Sequence, residues 1–311
     1  MPTPIIEVEH FSKRFGAAQV VKDLSFEVER GEIFAFLGAN GSGKTTTIRT
    51  LLGIYEQDEG TLFVDGRPYS PEVASMLGYL PEERGLYATS PVLETLVYFG
   101  ELKGLRRAEA VKRATNYLER VGLADKAKVN IKKLSGGQQQ KVQLGATIIN
   151  EPELLILDEP TKALDPVNRA LLMELLLELN RGGSTIVFIT HQMDEVERIA
   201  ERLVMIQEGE RALYGALDEV KAAFSDNNLR VIFAGEFPVE PTLYEVELVK
   251  PTKQTGRTQT ASITPRPGVE PQRILRNLLQ HDLELTAFEL DTPSLDDIFL
   301  EVSKNHERVQ A

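Results

Sequence analysis

Short runs that alternate apolar and polar residues open the chain. Ile5-Ile6-Glu7-Val8 and Leu24-Ser25-Phe26-Glu27-Val28 have the period of two that half-buried strands require, with turn residues between them. Ile33-Phe34-Ala35-Phe36-Leu37 is apolar throughout and predicts a fully buried strand. A glycine-rich turn follows at once, and residues 45–52 read as a helix. From about residue 91 to 150 the period lengthens into a helical insertion. Within it Val111, Ala114, Leu118 and Val121 fall on one face, and Gly122 supplies a C-terminal stop. A second apolar strand (154–157), an amphipathic helix (170–180) ending at Gly182-Gly183, and strands at 185–189 and 203–206 complete this part. Strands alternating with helices predict a mostly parallel sheet covered on both faces.

The texture changes after about residue 222. Strands are predicted at 229–234, 244–249 and 259–263, separated by turns rich in proline, glycine and threonine. Ile274, Leu275, Leu278 and Leu279 mark a helix over 271–280, and 283–290 alternates as a strand. Ser294 is placed to cap a last helix, with Asp297 three residues on and Leu295, Ile298, Phe299 and Val302 as its apolar stripe. The expected tail is a small α+β domain, and 311 residues suit two domains.

Hydrophobic residues make up 42% and charged residues 26%, a globular balance. With 35 basic and 47 acidic residues the net charge is −12, which argues against a general grip on nucleic acid. The absence of cysteine removes disulfides, thiolate zinc sites and cysteine nucleophiles, and is compatible with a reducing cytoplasm. Residues 1–10 carry no signal-peptide pattern. No stretch approaches the roughly 20 apolar residues of a spanning helix, so a membrane role is expected to come through a partner.

The chemistry concentrates in three segments. Gly38-Ala39-Asn40-Gly41-Ser42-Gly43-Lys44-Thr45 satisfies the phosphate-loop pattern between a strand and a helix. Its glycines let backbone N–H groups face phosphate oxygens, Lys44 adds a point charge for the β and γ phosphates, and the Thr45 hydroxyl can ligate Mg²⁺. The apolar strand at 154–157 delivers Asp158 and Glu159 to its C-terminal edge, where open α/β sheets bind ligands. Asp158 suits Mg²⁺, and Glu159 suits the water that attacks the γ-phosphate. Leu134-Ser135-Gly136-Gly137-Gln138 offers a second backbone-rich anion site at a helix start.

The order of these three segments resembles that of the ATP-binding cassette (ABC) ATPases over roughly residues 5–215. The resemblance implies a phosphate-loop nucleotide-binding domain over 1–220: a mostly parallel core sheet, an antiparallel N-terminal sheet and a helical subdomain at about 88–150. An accessory α+β domain at 221–311 follows. It implies ATP and Mg²⁺ as cofactors, with Thr46 beside Thr45 among the ATP-binding residues. It also implies a head-to-tail dimer in which Ser135, Gly136, Gly137 and Gln138 of one copy close on the ATP held by the other, with Asp165 in the loop that joins the two sites. Phe15 resembles the aromatic that stacks on adenine, and an ordinary core phenylalanine is its other reading. His191 resembles the histidine that contacts the γ-phosphate.

Two residues depart from the family pattern. Glu82 stands where a glutamine usually touches Mg²⁺ and the attacking water, and its charge is expected to slow hydrolysis. Lys162 stands where a small residue is usual, and reads either as a change in the dimer contact or as a solvent-facing side chain. Pro81-Glu82-Glu83-Arg84-Gly85-Leu86-Tyr87, Leu164-Asp165-Pro166-Val167-Asn168 and Thr190-His191-Gln192-Met193 are similar to segments of sodium and drug efflux ATPases that serve a separate permease chain, and Pro293-Ser294-Leu295-Asp296-Asp297-Ile298-Phe299-Leu300-Glu301 is similar to the accessory C-terminal domain these subunits often carry. The expected function is therefore ATP hydrolysis on the cytoplasmic face of a membrane, powering export of an ion, drug or other small molecule. The tail reads as a stabilising appendage or a regulatory domain. The alternatives are a soluble ABC-type ATPase in DNA repair or on the ribosome, which the acidic charge and the lack of a long coiled coil disfavour, and a nucleotide-binding scaffold with little hydrolysis.

Overall fold

The structure, a computed structural model, describes residues 4–83, 85–225, 228–251 and 258–310. The chain divides into two compact units, Met1–Leu217 and Asp218–Ala311.

In the first unit β1 (Ile6–Phe15) and β2 (Ala18–Val28) form an antiparallel hairpin, and β4 (Glu59–Val64) pairs with the other side of β1. A six-stranded sheet runs in the order β5 (Leu77–Leu80), β6 (Leu154–Asp158), β7 (Thr185–Thr190), β3 (Ile33–Gly38), β8 (Arg202–Gln207) and β9 (Glu210–Ala216). All neighbours are parallel except β8 and β9. Every residue of β3, β6 and β7 is buried, which is why these strands read as continuous apolar runs. Phe26 of β2 stacks on Phe34 of β3 with centroids 5.8 Å apart and lies 5.4 Å from Phe36, joining the two sheets in one core. Each such ring is worth about 1.5–3 kcal/mol of burial.

Helices α1 (Lys44–Leu51), α2 (Pro71–Met76), α6 (Pro166–Arg181) and α7 (Met193–Ile199) flank these strands. The insertion comprises α3 (Val92–Leu102), α4 (Arg107–Arg120), two single 3₁₀ turns and α5 (Gly136–Ile148). On α4 the buried face runs through Ala110, Ala114, Tyr117 and Leu118, whereas Val111 is exposed. The periodicity marked Val111 because it is the larger hydrophobe; the stripe lies one position earlier, on the small Ala110 that admits a neighbouring helix. Gly122 takes φ 69°, and its N–H and that of Leu123 donate to the Glu119 and Leu118 carbonyls at 3.2 and 2.8 Å. That pair of bonds closes the helix end. Helix α6 starts four residues before the predicted position, because Pro166 occupies its first turn and the Asp165 side chain accepts from Asn168 N–H at 3.0 Å.

In the second unit α8 (Leu217–Ala223) enters at the boundary. An antiparallel sheet of order β11 (Tyr244–Pro251), β12 (Gln259–Pro265), β10 (Leu229–Gly235) and β13 (Leu283–Leu290) follows, with α9 (Pro271–Leu278) and α10 (Leu295–Gln310). Its core gathers Leu229, Val231, Phe233, Ala261, Ile263, Ile274 and Leu278. Ser294 and Asp297 bond reciprocally, each backbone N–H donating to the other's side chain at 3.2 Å, so α10 is capped as the spacing predicts. Among the described residues no helix is long and apolar enough to cross a membrane.

Candidate functional site

Strand β3 ends on Gly38, and α1 begins at Lys44. Gly38 has φ 149°, and a Cβ there would lie 2.3 Å from the Ile206 carbonyl oxygen and 2.6 Å from Ser42 Oγ. Only glycine admits this approach of backbone to backbone. Gly43, at φ 109°, turns the chain into the helix. The loop is pinned from behind, since Gly209 N–H donates to the Ser42 carbonyl at 3.1 Å and Lys22 N–H to the Gly209 carbonyl at 2.8 Å. Lys44 is buried, and its Nζ donates to the Gly38 and Ala39 carbonyls at 2.8 and 3.0 Å. Burial pulls the ammonium below the usual lysine range, while the charges of Glu159, Asp158 and Glu82 oppose this. Ser42 Oγ is buried without a partner.

Strand β6 delivers Asp158, 3% exposed, to the cleft that the loop lines. Burial, then the neighbouring Glu82 and Glu159, push its carboxyl up to about 6; Lys44 and Arg49 offset part of this. Glu159 follows with φ 49°, a left-handed backbone that non-glycine residues rarely adopt outside functional turns. Its N–H donates to the Ile189 carbonyl at 2.9 Å, which locks the turn against β7. The turn brings Glu159 Oε1 to 2.6 Å from His191 Nδ1, while Oε2 is buried without a partner.

The loops after β5 and β6 meet here. Lys162 Nζ donates to Glu82 Oε1 at 2.5 Å, so Lys162 does not simply face solvent; the Glu82 charge holds it. Helix α5 anchors both loops: Gln143 Nε2 donates to the Pro81 and Glu83 carbonyls at 3.1 Å, and Gln140 Nε2 to the Pro160 carbonyl at 3.2 Å. The Thr161 hydroxyl donates to buried Glu195 at 2.8 Å. Sequence reading passed over Gln140, Gln143 and Glu195. Their only signal was polarity at positions where the helical period calls for apolar side chains. Arg84, which was part of the efflux-type segment, lies outside the described residues.

Between the loops lies a cleft of about 580 Å³. The structure brings Asn40, Gly41, Gly43, Lys44, Thr45, Thr46, Glu82, Asp158, Glu159 and His191 together in its lining, along with Val20, Lys162, Ala163, Arg169 and Gln192. Gly38 and Ser42 are buried in the loop itself. Other predicted residues lie outside this lining. Phe15 ends β1, 44% exposed, edge-on to Tyr55 at 5.3 Å. Ser135 and Gln138 form a reciprocal capping box on α5, with Gly136 and Gly137 as its first helical residues. Asp165 caps α6.

The donors suit Mg²⁺ accompanied by a nucleotide. Thr45, Asp158 and Glu82 present hard oxygens, and the buried Glu159 Oε2 has polar capacity to spare. Among the described residues no group of three or more metal-binding side chains is gathered in advance. Mg²⁺ takes one or two carboxylates and completes its shell with phosphate and water, so a partial protein set fits it.

Residues 21–162 match the ABC transporter family, and residues 215–303 match the C-terminal domain of DrrA1-3-like ATP-binding proteins. The chain is 36% identical over 297 residues to the ABC transporter ATP-binding protein YhaQ of Bacillus subtilis, covering 96% of this chain and 98% of that one. It is 31% identical over 315 residues to the linearmycin resistance ATP-binding protein LnrL of the same organism, at 96% and 98% coverage. A solved structure of the ATP-binding subunit of an ABC transporter superposes with a TM-score of 0.67 at 31% identity, covering 71% of this chain and 93% of that one. The phosphate loop, the acidic strand end and this full-length similarity agree: the chain belongs to the ATP-binding, ATP-hydrolysing subunits of ABC transporters.

Proposed function

We propose that the cleft holds ATP with Mg²⁺, and that hydrolysis there powers export of a drug-like or other small molecule, or an ion such as sodium, through a separate permease. The observation that carries the reading is the convergence of Lys44, Asp158, Glu159 and His191 on one glycine-rich loop. Backbone N–H groups and Lys44 bind the phosphates. When bound, Mg²⁺ held by Thr45, Asp158 and Glu82 offsets charge on the phosphate oxygens. Glu159, which lines the cleft and meets His191 through Oε1, orients the attacking water. With Nδ1 turned to Glu159, the His191 ring has Nε2 for the γ-phosphate.

The start of α5 and Asp165 lie outside the chain's own cleft lining, which supports their use on a second copy's nucleotide in a head-to-tail dimer. Phe15, half exposed at the hairpin tip, is the aromatic we assign to adenine. A permease segment docks in the apolar groove of about 400 Å³ lined by Leu52, Ile54, Tyr79, Leu86 and Phe99. Exposed Tyr87 and Tyr98, paired edge-on at 6.0 Å, extend the apolar surface offered by this part of the chain. This docking places the chain on the cytoplasmic face of the membrane, with residues 221–311 as an accessory domain. The name of LnrL supports drug-type cargo.

Glu159→Gln is the test: it keeps the shape and removes the carboxylate. ATP turnover falls by at least a hundredfold, while nucleotide binding persists and an ATP-dependent dimer accumulates on gel filtration. An unchanged turnover rate overturns the role of Glu159.

A further inference from the structure

The two residues that depart from the family pattern, Glu82 and Lys162, lie 80 positions apart in sequence and meet in space. Lys162 Nζ to Glu82 Oε1 is 2.5 Å, and both side chains line the nucleotide cleft. Their backbones are held independently. Gln143 bonds the carbonyls on either side of Glu82, and Lys162 N–H donates to the Glu159 carbonyl at 3.1 Å. The loops therefore stay in place while the tips move, so the pair can open by rotation about side-chain bonds alone. The tips are 60% and 44% exposed, so a pair of this kind exchanges readily and contributes little to folding.

A glutamine at position 82 would present a neutral amide. The carboxylate found here is instead a ligand for which two cations compete: the metal of the nucleotide, and Lys162. We infer that Lys162 is a positioning residue of the nucleotide site, which holds Glu82 in a lysine pair and so raises the metal concentration at which nucleotide binds. The chain thereby favours metal–nucleotide over nucleotide alone, because the metal offers Glu82 a second cation whereas metal-free phosphates add only negative charge beside it. This rests on the assignment of Glu82 to the metal in the proposed function.

The measurement is equilibrium binding of a fluorescent ATP analogue to the full chain as Mg²⁺ is titrated, paired with electron paramagnetic resonance of bound Mn²⁺, neither of which depends on turnover. Lys162→Ala lowers the half-saturating metal concentration by about two- to fivefold, the range expected from losing one exposed pair. Lys162→Arg keeps the pair and stays near wild type. Glu82→Gln raises the half-saturating concentration, and adding Lys162→Ala to it changes nothing further. The same shift from Lys162→Ala in both backgrounds overturns the inference, since Lys162 would then act on the phosphates directly; no shift in either background also overturns it. Loss of the Glu82→Gln effect alone removes Glu82 from the metal and defeats the underlying assignment, whereas a Glu82→Gln effect without a Lys162→Ala effect defeats only the tether.

Discussion

Asp158→Asn isolates what the site costs the fold. The carboxyl is 3% exposed, and its midpoint moves from an ordinary 3.8 to about 6, first through burial and then through Glu82 and Glu159. Because the folded carboxyl keeps its proton to higher pH than the unfolded one, ionising it opposes folding. The cost is absent below about pH 4, grows towards pH 6 and is complete at neutrality, where the shift corresponds to about 3 kcal/mol. Asparagine keeps the shape and drops the charge, but its amide must itself be desolvated, so about 1–3 kcal/mol is recovered. For a unit of some two hundred residues that raises Tm by about 3–9 °C. The assay is thermal unfolding of the nucleotide-free protein at pH 7 and pH 5, alongside nucleotide binding with Mg²⁺. The variant is more stable at pH 7, its advantage is smaller by about 1.4 kcal/mol at pH 5, and Mg²⁺ strengthens nucleotide binding less than in wild type. A variant that is less stable than wild type at pH 7, or whose stability relative to wild type does not change with pH, refutes the reasoning. A binding carboxylate that strains its own fold is the expected trade between activity and stability.

Two further substitutions test the geometry. Gly38→Ala forces a Cβ to 2.3 Å from the Ile206 carbonyl at a backbone angle closed to alanine, so nucleotide affinity is lost and the first unit unfolds at least 6 °C lower in calorimetry, for a cost of about 3 kcal/mol or more. Gly145→Ala sets a Cβ 2.3 Å from the buried Tyr117 ring, whose hydroxyl donates to the Lys141 carbonyl at 2.6 Å. Overpacking of about 1–3 kcal/mol exceeds the roughly 1 kcal/mol of helix propensity that alanine adds, so urea unfolding shows a net loss, and a stabilised variant would show that the α4–α5 contact is loose.

Much of the fold was legible because its signals are local. The apolar runs of β3 and β6, the stop at Gly122 and the Ser294–Asp297 cap each depend on residues within a few positions of one another. Strands β4, β5 and β9 left weaker marks: β5 has four residues, and β9 is an edge strand with mixed exposure. Val111 misled the helical count because hydrophobicity alone ranks valine above Ala110. At the site, the phosphate loop and the acidic strand end could be read directly. Ser135 caps the helix that it starts, a local bond, and the anion site expected at that helix start belongs to the dimer proposed above.

By itself the sequence determined the phosphate loop, the apolar strand that ends in Asp158 and Glu159, and the helix caps, since glycine torsions, apolar runs and capping bonds act over a handful of residues. Only the tertiary structure decided the strand order β5-β6-β7-β3-β8-β9, and with it which loops share a cleft. It also decided that Glu159 leans on His191 and that Glu82 meets Lys162. Such contacts join residues 32 and 80 positions apart, and at those separations charge and shape leave no periodic trace along the chain; sheet packing alone brings them within a hydrogen bond.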